Sequence, residues 1–130
     1  WADRLLDGQA TGYGEWEASM NGTNTAIDMI PKDIIMCDWH YEPKYPLQST
    51  SRSTFPSVRI FVDKGFRVLP TSFRNVKAVK SFIDQSLAVP SDKVLGHLCT
   101  VWHPLAKGQY ARLPQLKAAS KKIRKASSGS

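Results

Sequence analysis

The spacing of hydrophobic residues changes several times along the chain, and each change marks an element. Between Asp33 and Glu42 an apolar run, Ile34-Ile35-Met36-Cys37, carries no polar alternation, which is the pattern of a strand buried on both faces. Within one residue it becomes Asp38-Trp39-His40-Tyr41-Glu42, a cluster of acid, aromatic and imidazole groups at the strand's end. Upstream, Trp1 to Asp7 reads as the exit of a strand and Gly8 to Gly14 as a glycine-rich loop. Met20 to Ile30 reads as a weak helix that Asn24 or Thr25 caps and Pro31 ends. Glu15, Trp16 and Glu17 lie between them and read as a solvated loop with its Trp folded back onto the body, ahead of a role in binding substrate.

Downstream, Pro43 to Pro56 is rich in Pro, Ser and Thr, which predicts a long loop on the side of the strand's polar end. Pro56 suits the first turn of a helix running to about Lys64, and Gly65 suits the position just past it. Phe66 to Pro70 is the next strand. Asn75 then caps the clearest helix in the chain, where Val76, Val79, Phe82, Ile83 and Leu87 form one apolar stripe. After a turn at Pro90-Ser91-Asp92, Val94 to Val101 is another apolar strand, ending in Trp102-His103-Pro104, and Gln115 to Ala126 can form a last short helix. Strands and helices alternate, and each crossover is long enough for a parallel connection. The expected class is therefore α/β, with four parallel βα units making either an open sheet or half of a (β/α)8 barrel.

Composition keeps this within one domain, since 130 residues with 42% apolar and 22% charged side chains suffice for one modest core. No apolar run approaches the roughly 20 residues that span a bilayer, so no membrane partner is expected. There is no signal-peptide pattern, and Trp1 stands inside what reads as functional sequence. A piece or mature segment of a longer protein is expected, and a secreted or periplasmic location would depend on a signal upstream.

The net charge of +7 is confined to one end. Residues 1–106 contain eleven Lys or Arg and eleven Asp or Glu, whereas residues 107–130 contain seven Lys or Arg and no acid. The chain divides accordingly into a neutral body, 1–106, and a basic helix or tail, 107–130. A neutral body lacks the electrostatic footprint of a nucleic-acid binder, and the tail reads as an amphipathic helix with a solvated basic face, because only Tyr110 interleaves its charges. Cys37 and Cys99 lie in separate strands without finger spacing, so buried free thiols are expected rather than a zinc site.

Ligands of parallel α/β proteins collect outside the carboxyl ends of the strands. Trp1, Trp39 and Trp102 stand at three such ends, and Asp3, Asp38, His40 and Glu42 stand beside them. One Trp would be ordinary packing, but three on one rim match the C–H faces of sugars, whose hydroxyls need carboxylates and imidazoles around the edge. Neither Asp38 with Glu42 nor Asp3 has a local context that singles out a proton donor, so these acids are expected to bind hydroxyls and no catalytic residue is assigned. A metal site would use Asp38 and His40, which share a side of an extended strand, together with His97 or His103. No spacing fixes that set, and no metal or cofactor is expected. His97, inside an apolar strand, is expected to be a hydrogen-bonded core histidine. No nucleophile elbow, phosphate loop or dinucleotide fingerprint is present.

The Trp1-Ala2-Asp3 exit, the run Ile30 to Glu42, Lys64-Gly65-Phe66-Arg67-Val68-Leu69-Pro70 and the strand Leu95 to Trp102 together resemble the C-terminal half of the catalytic barrel of glycoside hydrolase family 20, the β-N-acetylhexosaminidase-like enzymes. The resemblance covers roughly residues 1 to 105 and implies the last four strands of a TIM-type (β/α)8 barrel. It also implies hydrolysis of terminal N-acetylhexosamine residues, in which the substrate's own acetamido carbonyl attacks the anomeric carbon. The family's catalytic Asp-Glu pair stands at the end of the fourth strand, upstream of Trp1. By position, Trp1 and Trp39 would wall the acetamido pocket and Trp102 would stack on the sugar. Two places depart from the family pattern: Leu69-Pro70-Thr71-Ser72-Phe73 replaces a Tyr-x-Asp, and Trp102-His103-Pro104 replaces a Trp-x-Glu. The alternative expectation is a non-catalytic carbohydrate-binding or polyanion-binding α/β module, and an isolated half-barrel is expected to self-associate through its open edges.

Overall fold

The computed structural model describes residues 1–43 and 55–128, so most of the loop expected over Pro43 to Pro56 and the last two residues lie outside the described residues. Two short helices, α1 (Gly8–Thr11) and α2 (Gly14–Glu17), precede a 3-10 helix at Thr23–Asp28. Strand β1 (Ile35–Trp39), helix α3 (Ser57–Asp63), strand β2 (Arg67–Ser72), helix α4 (Val76–Leu87), strand β3 (Leu98–Cys99) and helix α5 (Pro114–Ser128) follow. The three strands form one parallel sheet in the order β1-β2-β3. The molecule is α/β, as the alternation of elements predicts.

The structure departs from expectation at the two outer strands. Trp1 to Asp7 is not a strand: Ala2 N–H donates to Cys37 O at 3.2 Å, and the backbone then winds into a 3-10 helix at Asp3–Leu5. Ala2 and Leu6, four residues apart, lie on one side of this turn and are buried together, so the apolar spacing there is that of a turn. Val94 to Val101 pairs only at Val94, opposite Val68, and at Leu98–Cys99. The interruption traces to Pro70. Val68 donates to Lys93 O and accepts from Leu95 N, so Val68, Pro70 and Ser72 present their backbones to the β3 side, where Pro70 has no N–H to give. Four βα units are thus three paired strands plus a turn.

The helices cover one face of the sheet only. Met36, Asp38 and His40 of β1 and the strand after it, with Val68, Pro70 and Ser72 of β2, point into a core closed by Val58, Phe61, Phe66 and Phe82. On the other face Ile35 remains 44% exposed, and Cys37, Trp39 and Leu69 are half-buried. The strand is therefore buried on one face, contrary to its unbroken apolar run, because no second layer lies on the far side among the described residues. Cys37 and Cys99 are free and half-buried.

Helix α4 begins as its cap predicts, with the Asn75 side chain accepting from Lys77 N and Ala78 N at 3.0 and 3.2 Å. Its buried face is Ala78, Val79, Phe82, Ile83 and Ser86, and Leu87 turns outward. Val79 and Ile83 meet Ala119 and Ile123 of α5, which docks the basic tail onto the body. Gly8 is held where a side chain cannot go: its N–H donates to Ser19 O at 2.8 Å, and a Cβ would lie 2.6 Å from Gly14 O.

Candidate functional site

Beyond the carboxyl ends of the strands, Trp1, Asp3, Trp39, Tyr41 and Trp102 line a cavity of about 280 Å³. The aromatic rings support one another. Trp1 and Trp102 pack with centroids 5.4 Å apart, Trp39 and Tyr41 at 4.9 Å, and Trp16 meets Trp39 edge-on at 6.4 Å. Hydrogen bonds fix their orientation, since Trp39 Nε1 donates to Asp3 Oδ1 and Trp102 Nε1 donates to Tyr41 OH, both at 3.1 Å. The other carboxylate oxygen of Asp3 pairs with Arg4 Nε at 3.1 Å. Trp1 and Trp102 keep more than half of their surface exposed, so the wall is open to a ligand.

Period-two alternation sends Asp38 and His40 the opposite way from Trp39 and Tyr41. Both are buried, in a polar centre beneath the rim. His40 Nδ1 donates to Glu17 Oε2 at 2.6 Å, and Nε2 faces Ser57 Oγ at 2.9 Å and Asp38 Oδ1 at 3.2 Å. Ser57 Oγ in turn donates to Asp38 Oδ2 at 2.6 Å and meets Tyr13 OH at 3.1 Å. The rings of Tyr13, Phe55 and Phe82 surround the imidazole at 4.6, 4.6 and 4.9 Å.

Burial alone would push the His40 pKa down, but the carboxylates of Asp38 and Glu17 outweigh it and raise the pKa to about 9. The imidazole is then doubly protonated at neutral pH, with each N–H directed at an acceptor. Burial, reinforced by Asp38, holds the Tyr13 phenol neutral by raising its pKa. Ser57, His40 and Glu17 have the order of a nucleophile, base and acid, but Ser57 commits its proton to Asp38 and has no exposed surface. The cluster ties the end of β1 to α2 and α3.

The structure therefore brings Trp1, Asp3, Trp39 and Trp102 together in one cavity, and places Asp38 and His40 behind its wall. Glu42 is exposed and accepts from Asn75 Nδ2 at 2.6 Å, tying the chain after β1 to the start of α4. Tyr41 joins the rim, as its place in the polar cluster implies. Glu17 and Ser57 escape sequence reasoning altogether. Glu17, expected in a solvated loop, is 1% exposed, and Ser57 carries no signal beyond following a helix-starting proline.

His97 also departs from expectation, because neither ring nitrogen has a hydrogen-bond partner among the described residues. It lies where the β3 ladder is interrupted, edge-on to Phe82 at 5.9 Å, and lines a cavity of about 70 Å³ with Ile83 and Ile123. Burial lowers its pKa to about 4. Among the described residues no group of three or more His, Cys, Asp or Glu could hold a metal ion. No helix among them is long and apolar enough to cross a membrane. No protein-family model matches the chain, and no curated protein matches it.

Proposed function

We propose that the chain supplies the substrate-binding strand ends of a family-20-type glycoside hydrolase acting on terminal N-acetylhexosamine residues. The observation that carries this reading is the cavity walled by Trp1, Trp39, Tyr41 and Trp102, with Asp3 at its edge, beyond the carboxyl ends of parallel strands. Indole faces supply stacking surface for a sugar ring, and the fixed carboxylate supplies a hydroxyl or amide partner. A half-barrel is supported by the helices lying on one face of the sheet and by the apolar residues Ile35, Cys37 and Leu69 left on the other, the side that faces inward in a closed barrel. Asp38 and His40 serve this site from behind, by fixing the strand end that carries Trp39 and Tyr41. The chain contains no adjacent Asp-Glu pair, so in this reading the proton chemistry belongs to another strand of the barrel.

Titration with N-acetylglucosamine, followed by tryptophan fluorescence, tests the reading. Binding is expected to perturb the emission, and Trp102→Ala is expected to weaken it about tenfold, the loss of one stacking face worth about 1.4 kcal/mol. Equal affinity of the variant, or no response from the parent chain, ends the proposal. These residues alone are expected not to turn over a chromogenic N-acetylglucosaminide, and measurable hydrolysis would refute the assignment of the catalytic pair to another strand.

A further inference from the structure

A second depression on the described surface lies away from the aromatic rim. It has a volume of about 540 Å³ and is lined by Ala111, Leu116, Lys117, Ser120, Lys121 and Arg124, between the turn at Tyr110–Arg112 and helix α5. Lys117, Lys121 and Arg124 recur at helical spacing and share one exposed face, spread over about 10 Å of helix at about 1.5 Å per residue. Among the described residues no carboxylate pairs with them. Residues 107–130 contain no acid, and the ion pair that α5 does make, Lys122 with Asp84 at 2.7 Å, uses a different lysine. Ser120 Oγ accepts from Arg124 Nε and Nη2 at 3.1 and 2.6 Å, which holds the guanidinium against the groove.

We propose that this groove is an anchoring site for an acidic polysaccharide bearing carboxylates. Three such cations in a row fit a linear polyanion, and a guanidinium fork fits a carboxylate. The groove's own lining has no aromatic side chain, and the neighbouring depression adds the phenol of Tyr110 and the imidazole of His103, fewer rings than a run of successive nucleic-acid bases stacks on. A lipid surface is disfavoured because the apolar side of α5, Ala119 and Ile123, is already packed on Val79 and Ile83 of α4. The position also favours a glycan. Leu116 belongs both to this groove and to a neighbouring depression lined by Val101, His103 and Tyr110, and Val101 and His103 flank Trp102 of the rim. The choice of a carbohydrate over other polyanions rests on the carbohydrate reading of that rim.

The test uses the full chain and an oligogalacturonate decamer in a salt series. The parent is expected to bind, and the triple variant Lys117→Gln, Lys121→Gln, Arg124→Gln is expected to lose at least about tenfold in affinity. Its dependence of log Kd on log salt should flatten by about 2, from three lost contacts with a single-stranded polyanion. A neutral cello-oligosaccharide of equal length should not bind in the groove. N-acetylglucosamine titration of the tryptophans should be the same for parent and variant, which also shows that the variant is folded. Absence of decamer binding, unchanged binding by the triple variant, or tighter binding of a single-stranded oligonucleotide or an anionic vesicle each overturns the proposal. Loss of the N-acetylglucosamine response with the groove intact would strike the rim reading instead.

Discussion

His40 is the residue on which the site's rigidity turns. Its two N–H groups join Glu17 and Asp38 inside an aromatic cage, so replacing it removes the buried cation that stands between these two carboxylates. His40→Gln is expected to cost about 3–5 kcal/mol in urea denaturation, and a near-neutral result would show that the centre is not charged. The same residue sets an alkaline limit. Its folded pKa of about 9 lies above the ordinary value of 6.5, so the stability it contributes is fully present below 6.5 and is lost as pH rises through about 9. His97 acts in the opposite sense. With a folded pKa of about 4, it costs nothing above 6.5, and stability falls as pH drops from 6.5 toward 4, where the unfolded chain binds the proton first. Stability measured against pH should therefore peak near 6.5 where these two residues dominate, and His97→Leu should flatten the acid limb alone.

Among the elements, α4 and β1 show how far local pattern reaches. The α4 boundaries and its cap are legible because Asn75 and the periodic apolar positions are all local signals. Asn75→Ala should cost about 1 kcal/mol by thermal or urea melting, from loss of the cap bonds to Lys77 and Ala78. It should also release Glu42. In β1 the order of residues is equally plain, yet their exposure is not. An apolar run is compatible with two covered faces or one, and only the placement of α3 and α4 on a single side decides it. The last strand fails for a non-local reason, the missing N–H of Pro70 on the strand beside it.

For the molecule as a whole, the exposed liability among the described residues is the uncovered sheet face together with the outer edge of β3 and that of β1 beyond the bond from Ala2 N–H to Cys37 O. Ile34, Ile35 and Leu95 remain 42%, 44% and 45% exposed around that face. Parallel sheets are normally covered on both sides, and unpaired edges template further pairing. The isolated chain is expected to associate with concentration in analytical ultracentrifugation, and Ile35→Lys, which places a charge on the open face, is expected to shift it toward monomer. A monomer at all accessible concentrations would count against an incomplete barrel.

The sequence by itself determined the α/β alternation, the capped helix at α4, the segregation of charge into residues 107–130 and the gathering of aromatic and acidic groups at strand ends. Each of these follows from period, propensity or composition within a few neighbouring positions. Only the tertiary structure divided that gathering into an aromatic rim and a buried ionic centre. The contacts that do so join His40 to Glu17 and Ser57, 23 and 17 residues away, and Trp102 to Tyr41, 61 residues away. Alternation states that Asp38 and His40 share a side, but which side meets water depends on where the helices pack.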